Sequence, residues 1–196
     1  MELYIARHGE TEFNALKRLQ GGGLDTPLTQ TGILQAKGLG KSIEGINFDA
    51  IYSSPLKRAM DTACIAFNDQ TLFSGKLFGK KTFTDPRLVE IGLGDAEGLL
   101  WDNEMVNISA NPVEYIPPPG GEKLEDMIDR LDSFLQELAT KDYKKVFVLA
   151  HGYVMRVVYS CSVDKSLSAI GDAPFFENCE IVKYLHDGFS WNLFDC

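Results

Sequence analysis

Three short apolar segments alternate along this chain with amphipathic helical stretches, and this alternation restricts the possible folds more than any other feature. The segments are residues 3–6, 50–52 and 145–150, which are short and apolar, as buried strands are. Between them, residues 30–44 and 122–140 carry apolar side chains at three- and four-residue steps, the spacing of an amphipathic helix. Strands that alternate with helices predict an α/β fold in which helices cover both faces of a sheet.

Each of these predicted strands runs into a side chain that is cationic or an imidazole. Arg7 and His8 follow the first strand, Arg58 lies within a turn of the end of the second, and His151 follows the third. Ligands of open α/β sheets bind beyond the carboxyl ends of the strands. We therefore expect these four side chains to converge on one rim of the sheet.

Two guanidinium groups and two imidazoles at one rim suit a dianion such as a phosphate group. Arginine presents a planar fork of donors to phosphate oxygens and keeps its charge at every working pH. A neutral imidazole among cations is a competent nucleophile, because the cations disfavour its protonation. A carboxylic acid must then protonate the leaving oxygen, and Glu10 and Glu90 are both candidates from their positions.

The charge balance excludes several classes of partner. The chain of 196 residues has 19 Lys and Arg against 28 Asp and Glu, a formal net charge of -9. A surface of that sign repels nucleic acid and anionic lipid, so a phosphate site must be a local cluster of cations.

The longest apolar run, residues 146–150, is too short to cross a bilayer. Charged residues near the N-terminus leave no apolar core for a signal peptide. We expect a single cytoplasmic domain spanning residues 1–196.

The cysteines and histidines do not predict a metal site. Cys64, Cys161, Cys179 and Cys196 have no CxxC spacing and no regular framework, which favours reduced thiols. The three histidines have no metal-ligand spacing either, and His186 is expected at the surface of a polar hairpin. No metal and no cofactor are therefore expected.

Local patterns predict four further features. They are a loop or hairpin at residues 68–81, an extended stretch at 83–90 in which Pro86 argues against a central strand, a short helix at 101–109, and a terminal hairpin formed by residues 179–185 and 189–193.

The order of several motifs resembles that of the histidine phosphatase superfamily, also called the phosphoglycerate mutase-like family. The resemblance covers most of residues 1–160. The matching residues are Arg7-His8-Gly9-Glu10-Thr11, Asn14, Gln20-Gly21, Asp25-Thr26-Pro27-Leu28-Thr29 with Gly32, Tyr52 to Ala59 with Thr62-Ala63, Glu90 with Gly98 and Trp101, Gly120-Gly121-Glu122, and Ala150-His151-Gly152.

The resemblance implies a three-layer α/β/α sandwich with a central, mostly parallel sheet. It also implies a role for each rim residue, with no metal. His8 is the nucleophile that becomes phosphohistidine, and Glu90 is the proton donor to the leaving group. The implied ligands of the phosphoryl group and substrate are Arg7, Asn14, Gln20, Gly21, Arg58 and His151.

Three functions remain open at this point. A phosphatase acting on a small phosphate ester is favoured, because residues 99–121 contain no Lys or Arg, whereas phosphoglycerate mutases of the family carry a basic insertion there. Transfer of the mutase type and a weakly catalytic module that binds phospho-ligands or partners are the alternatives. The natural substrate and the oligomeric state are not determined by the sequence.

Overall fold

The computed structural model describes residues 1–73, 81–101 and 111–194. Within these ranges, six strands form one sheet in the order β3-β2-β4-β1-β5-β6. The strands are β1 (Glu2–Arg7), β2 (Ala50–Ser53), β3 (Lys81–Thr84), β4 (Lys145–Ala150), β5 (Ile181–His186) and β6 (Trp191–Leu193).

Strands β1 to β4 run parallel, and β5 and β6 complete the sheet as an antiparallel hairpin. The register aligns the carboxyl ends of the three central strands. Arg7 at the end of β1 pairs with Ala150 at the end of β4, and Ser53 at the end of β2 pairs with Leu149. The residues that follow these strands therefore start from the same edge of the sheet.

Helices connect the strands and cover the sheet. They are α1 (Glu12–Ala15), α2 (Gln30–Ser42), α3 (Lys57–Ala66), α4 (Leu124–Ala139), α5 (Gly152–Val163) and α6 (Leu167–Asp172), and 3₁₀ turns occur at Pro86–Leu88, Gly94–Ala96 and Pro112–Glu114.

Alternate side chains of β1 enter two separate apolar clusters, as the period of a strand requires. Leu3 and Ile5 join the cluster that contains the apolar faces of α4 and α5. Tyr4 and Ala6 join the cluster formed with α2 and α3. Both faces of the sheet are thus buried under helices, which confirms the predicted three-layer α/β/α sandwich.

Most elements predicted from the pattern are present, and one prediction is corrected. Residues 83–90 are not extended throughout, because Asp85 accepts the main-chain N–H of Arg87 and a 3₁₀ turn begins at Pro86. Proline suits that position, since its fixed φ matches the first turn of a helix. The strand before it, β3, lies at the edge of the sheet.

The terminal hairpin is confirmed, and α1 and α6 are two short helices that the pattern did not indicate. Residues 102–109 of the predicted helix at 101–109 and residues 74–80 of the predicted loop at 68–81 lie outside the described residues. In the three described ranges, no helix is long and apolar enough to cross a membrane.

The chain makes a close main-chain crossing directly after β1, where the first turn of α2 passes over Gly9 and Glu10. Thr29 caps α2 by accepting the N–H of Gly32, and the N–H of Thr29 itself donates to the carbonyl oxygen of Glu10 at 2.9 Å. A methyl group on Gly32 would overlap that same carbonyl oxygen, and one on Gly9 would lie 2.6 Å from the oxygen of Gly32. Only glycine at both positions allows α2 to approach the loop after β1 this closely.

We expect Gly32→Ala to lower the free energy of unfolding by about 1–3 kcal/mol, because the added methyl group overpacks a close contact. Gly38→Ala is the control in the same helix, because a methyl group there would meet no atom within 4 Å. That substitution should raise the free energy of unfolding by about 0.5–1 kcal/mol through helix propensity alone. Urea denaturation measures both, and equal stability of the two variants would contradict the close crossing.

Candidate active site

His8 lies directly after β1 and is 4% exposed. Its Nδ1 is 2.7 Å from the carbonyl oxygen of Gly9. A carbonyl oxygen only accepts hydrogen bonds, so Nδ1 must carry the proton of the neutral ring. The tautomer assigned in this way leaves the lone pair on Nε2.

The second imidazole of the site belongs to His151, which follows β4 and is fully buried. Its ring centroid is 5.2 Å from that of His8. Burial lowers the pKa of both rings well below the ordinary value, and the charges of Arg58 and Arg7 lower each pKa further. Both imidazoles are therefore neutral near pH 7. Neither nitrogen of His151 has a hydrogen-bond partner within the described ranges.

Arg58 projects from the first turn of α3 and its side chain is fully buried. Its Nη1 donates to the carbonyl oxygen of Leu24 and to Oδ1 of Asp25, both at 3.0 Å, and Nη2 donates to the carbonyl oxygen of Gly21 at 2.9 Å. The outer edge of the guanidinium is thus fixed by residues 21–25. Its Nε has no partner among the residues that the structure describes.

Arg7 is the last residue of β1, and its guanidinium is held by a different part of the chain. Its Nη1 donates to the carbonyl oxygen of Phe176 at 2.8 Å, and the ring of Phe175 lies 5.6 Å from Cζ. Burial lowers the pKa of Arg7, whereas the carboxylates of Glu90 and Glu177 raise it. An arginine remains charged in spite of such a shift. Its Nε is buried and has no partner in the described part of the chain.

Glu90 is 8% exposed and lies against the start of α5. Its Oε1 accepts the main-chain N–H of Ile91 at 3.0 Å, and its Oε2 accepts that of Tyr153 at 3.1 Å. Burial raises the pKa of Glu90 above its ordinary value, and this effect exceeds the opposing effects of the two hydrogen bonds and the arginines. Glu10, the other candidate acid, instead accepts the hydroxyl of Thr29 at 2.6 Å. Of the two candidate acids, Glu90 is therefore the buried one, and its role as proton donor stays a prediction.

Asn14 and Gln20 lie beside the loop that follows His8, and both side-chain amides are engaged by protein groups. Asn14 Oδ1 accepts the N–H of Thr11 at 3.2 Å, which completes the cap of α1. Gln20 Oε1 accepts the Thr11 hydroxyl at 2.6 Å, and its Nε2 donates to Thr26 Oγ1 at 3.1 Å. These contacts order the loop, and the direct substrate contacts implied for Asn14 and Gln20 remain predictions.

Gly21 contributes through its main chain, because its carbonyl oxygen accepts from Arg58. A side chain on Gly21 would lie 2.5 Å from the oxygen of Ile91 and 2.6 Å from Oε1 of Glu97. The loop that carries this carbonyl therefore packs directly against the segment that carries Glu90.

Two further residues that organise the rim were not identified from the sequence. Glu97 accepts the N–H groups of Gly23 and Leu24 at 2.9 and 2.5 Å and so fixes the loop around Arg58. Asn178 Nδ2 donates to the carbonyl oxygen of His8 at 2.9 Å. Glu97 directly precedes Gly98 of a recognised motif, which was an available signal, whereas nothing in the local pattern around Asn178 indicates its contact.

The arrangement has the character of an anion site. Buried polar groups almost always have hydrogen-bond partners. Within the described residues, Nε of Arg7, Nε of Arg58 and both ring nitrogens of His151 have none. The Nε–H groups of the two arginines and the single N–H of the neutral His151 ring, beside two guanidinium charges, suit a ligand with several acceptor oxygens and negative charge. No group of three or more His, Cys, Asp or Glu side chains in these ranges is placed to hold a metal ion.

The Thr62 hydroxyl connects the loop after β1 to α3, and we expect its removal to destabilise the protein. Its Oγ1 accepts the N–H of Gly9 at 3.0 Å and donates to the carbonyl oxygen of Arg58 at 2.7 Å. Thr62→Val keeps the shape but leaves a buried N–H unsatisfied, which costs about 1–3 kcal/mol. Thr140→Val at an exposed helix end should change the unfolding free energy by less than about 0.5 kcal/mol. A denaturation curve for Thr62→Val that matches the wild type would contradict this role.

Comparisons with known proteins agree with this site. The model of the histidine phosphatase superfamily (branch 1) matches residues 3–195. The chain is 38% identical over 138 residues to fructose-2,6-bisphosphatase TIGAR B of Danio rerio, an alignment that covers 69% of this chain and 52% of that protein. It is 32% identical over 163 residues to putative phosphoserine phosphatase 2 of Hydrogenobacter thermophilus, covering 80% of this chain and 75% of that one. The chain thus spans about half the length of the fructose-2,6-bisphosphatase that it matches.

The relatives include a mutase as well as phosphatases. A 2,3-bisphosphoglycerate-dependent phosphoglycerate mutase of Methylobacterium sp. is 34% identical over 168 residues, covering 80% of this chain and 77% of the mutase. Among solved structures, Bacillus stearothermophilus YhfR superposes with a TM-score of 0.83 at 30% identity, covering 98% of this chain and 94% of that one. The fold, the motifs and the rim geometry therefore have one explanation: the chain belongs to the histidine phosphatase superfamily.

Proposed function

We propose that residues 1–196 form one catalytic domain that hydrolyses a phosphate monoester through a phosphohistidine on His8, with Glu90 as the proton donor. The observation that carries this proposal is that Nε of Arg7, Nε of Arg58 and the ring nitrogens of His151 are buried without a hydrogen-bond partner in the described ranges, while the His8 tautomer leaves the lone pair on Nε2. A phosphoryl group supplies the acceptor oxygens and the negative charge that these nitrogens lack.

In the first step, the lone pair on Nε2 of His8 attacks phosphorus, and the bond between phosphorus and the ester oxygen breaks. The leaving oxygen takes the proton of the neutral Glu90 carboxyl, so an alcohol departs. The hydrogen bond from Nδ1 of His8 to the carbonyl oxygen of Gly9, 2.7 Å long, keeps the attacking nitrogen unprotonated and oriented.

In the second step, a water molecule attacks phosphorus through its oxygen, and the Glu90 carboxylate accepts a proton from that water molecule. The bond between phosphorus and Nε2 breaks, inorganic phosphate forms, and the lone pair returns to His8. Glu90 then carries its proton again, so the site is ready for the next ester. One carboxyl group thus serves as acid and then as base.

The proposed chemistry uses guanidinium and imidazole groups where other phosphatases use a metal ion. Arg7 and Arg58 are fixed before the substrate arrives, because main-chain carbonyls of Phe176, Gly21 and Leu24 hold their outer nitrogens. Preorganised charges aimed at the developing charge of a transition state contribute strongly to catalysis. No step requires a metal or another cofactor.

For the substrate, we propose a small phosphate ester with an apolar or aromatic part. Phe175 is 65% exposed beside Arg7, so an aromatic face borders the phosphate-binding arginine. Residues 99–121 contain no Lys or Arg that would bind a second phosphate.

Cys64, Cys161 and Cys179 are free thiols, which supports a cytoplasmic location, where thiols are kept reduced.

Phosphoryl transfer of the mutase type is the second candidate, and the mutase relative supports it. A mutase returns the phosphoryl group to an organic acceptor, whereas a phosphatase gives it to water. An assay of 3-phosphoglycerate isomerisation with 2,3-bisphosphoglycerate present separates the two functions. Isomerisation faster than phosphate release would favour the mutase.

We expect the purified protein to release phosphate from a panel of esters in the presence of EDTA, and His8→Ala to abolish the release. The loss should be about a thousandfold or more, because removal of a nucleophile disables the whole catalytic unit. His186→Ala is the matched control, since His186 lies in the terminal hairpin and packs against Trp191. Phosphate release that persists in His8→Ala, or that EDTA removes, would overturn the proposal.

The pKa shifts predict an asymmetric pH profile for kcat/KM. Glu90 must be protonated to donate, and its pKa is raised, so the rate should fall as pH rises above that raised value. His8 must be neutral to attack, and its pKa is lowered, so the decrease of kcat/KM at acidic pH should begin well below pH 6.5. Glu90→Gln should remove the decrease of kcat/KM at alkaline pH and should reduce the rate by about 10²–10⁴-fold. A rate that still climbs at strongly alkaline pH would contradict Glu90 as the acid.

A further inference from the structure

The segment that carries Glu90, residues 87–92, is bound at one end by Glu122. The N–H of Glu122 donates to the carbonyl oxygen of Gly92 at 2.7 Å. The N–H of Gly92 in turn donates to Oε2 of Glu122 at 3.2 Å. Both main-chain groups of the residue two positions after Glu90 are therefore held by a single glutamate.

Arg130, on α4, connects Glu122 to the other end of the same segment. Its Nε donates to Oε1 of Glu122 at 2.6 Å and its Nη2 to Oε2 at 2.9 Å, while its Nη1 donates to the carbonyl oxygen of Arg87. The two side chains are only 20% and 21% exposed. We call Arg130, Glu122 and the main-chain groups of Arg87 and Gly92 that they bind the Arg130 clamp.

Leu88 and Ile91 anchor the segment in the apolar core, whereas on the side of Glu122 and Arg130 it borders an open pocket of about 450 Å³, lined by Glu90, Gly92, Glu122 and Arg130 among other residues. On that side, the clamp holds the segment through hydrogen bonds to its main chain. On another side, the segment is bound through the carbonyl oxygen of Ile91, which accepts the N–H of Gly22 at 3.0 Å.

The carboxyl group of Glu90 depends on this support for its position. One of its oxygens is bonded by Ile91, which belongs to the segment itself, and the other by Tyr153 on α5. If residues 87–92 shift, these two bonds cannot both persist, and the carboxyl group moves relative to the start of α5. A displacement of about 1 Å is enough to reduce a catalysed rate about a hundredfold.

We propose that Glu122 and Arg130 are positioning residues that hold Glu90 at proton-donating distance from the leaving oxygen. The inference rests on the proposed role of Glu90 as the acid. Neither residue touches the reacting atoms, so each acts on the proton transfer through the placement of the Glu90 carboxyl group.

This role has a signature that general structural support lacks. An ester whose leaving group departs readily as an anion, such as dinitrophenyl phosphate, needs little help from an acid. Phenyl phosphate and alkyl phosphates need a proton at the leaving oxygen. A misplaced Glu90 therefore slows the reaction of poor leaving groups selectively, whereas damage to the phosphate site slows all esters.

The test is kcat/KM for dinitrophenyl, phenyl and alkyl phosphates with Arg130→Lys and Glu122→Gln. Arg130→Lys keeps the positive charge, which also contributes to the low pKa of His151, but loses the forked bonds. We expect a loss of about tenfold to a hundredfold with phenyl and alkyl phosphates and less than about twofold with dinitrophenyl phosphate.

Asp132→Asn is the matched control. Asp132 lies on α4 like Arg130, its side chain is 22% exposed, and its ion pair is with Lys165, which lies outside residues 87–92 and the clamp. The ratio of rates across the three esters should remain that of the wild type. Turnover of dinitrophenyl phosphate reports in each variant that the protein is folded.

Glu90→Gln separates the failure of this inference from that of the proposed function. If Glu90→Gln lowers kcat/KM no more for the poor leaving groups than for dinitrophenyl phosphate, Glu90 is not the acid and the proposed mechanism fails. A second outcome is that Glu90→Gln shows the selective loss but both clamp variants lower kcat/KM equally for all three esters, or lower it for none. In that case the clamp does not position the acid. Combining Arg130→Lys with Glu90→Gln should give no further selective loss, and an additive loss would also overturn the inference.

Discussion

The buried charge of Arg58 is the constraint around which the rest of the rim is organised. A guanidinium taken out of water is strongly unfavourable unless its donors are bonded and its charge is balanced. The carbonyl oxygens of Gly21 and Leu24 and the carboxylate of Asp25 meet that requirement. Residues 21–25 therefore have to fold around Arg58.

The stability of that loop depends in turn on groups far away in the sequence. Glu97 binds the N–H groups of Gly23 and Leu24, and Gly21 and Gly22 approach the main chain near Glu90 too closely for side chains. The loop that holds Arg58 and the segment that carries Glu90 thus share one contact surface.

The same concentration of positive charge sets the protonation states of the site. Burial lowers the pKa values of His8 and His151, and the charges of Arg58 and Arg7 lower them further, whereas burial raises the pKa of Glu90 against the opposing effect of the same arginines. The pKa of the His8 ring and that of the Glu90 carboxyl group are therefore shifted in opposite directions at one rim. Separating the pKa values of two ionisable groups in this way is a general route to acid and base chemistry near neutral pH.

The sequence by itself determined the α/β class, the alternation of strands and helices, and the placement of Arg7, His8, Arg58 and His151 at strand ends. These features are local, because a side chain that directly follows a strand inherits its position from that strand. Only the tertiary structure shows how the environments of Glu10 and Glu90 differ, because packing against α5 buries Glu90 and leaves Glu10 partly exposed. It also assigned Phe176 and Asn178 to Arg7 and His8, contacts that join residues 169 and 170 positions apart. Nothing in the local pattern can specify such pairs, since their geometry arises only when β5 closes against β1 and brings the two ends of the chain together.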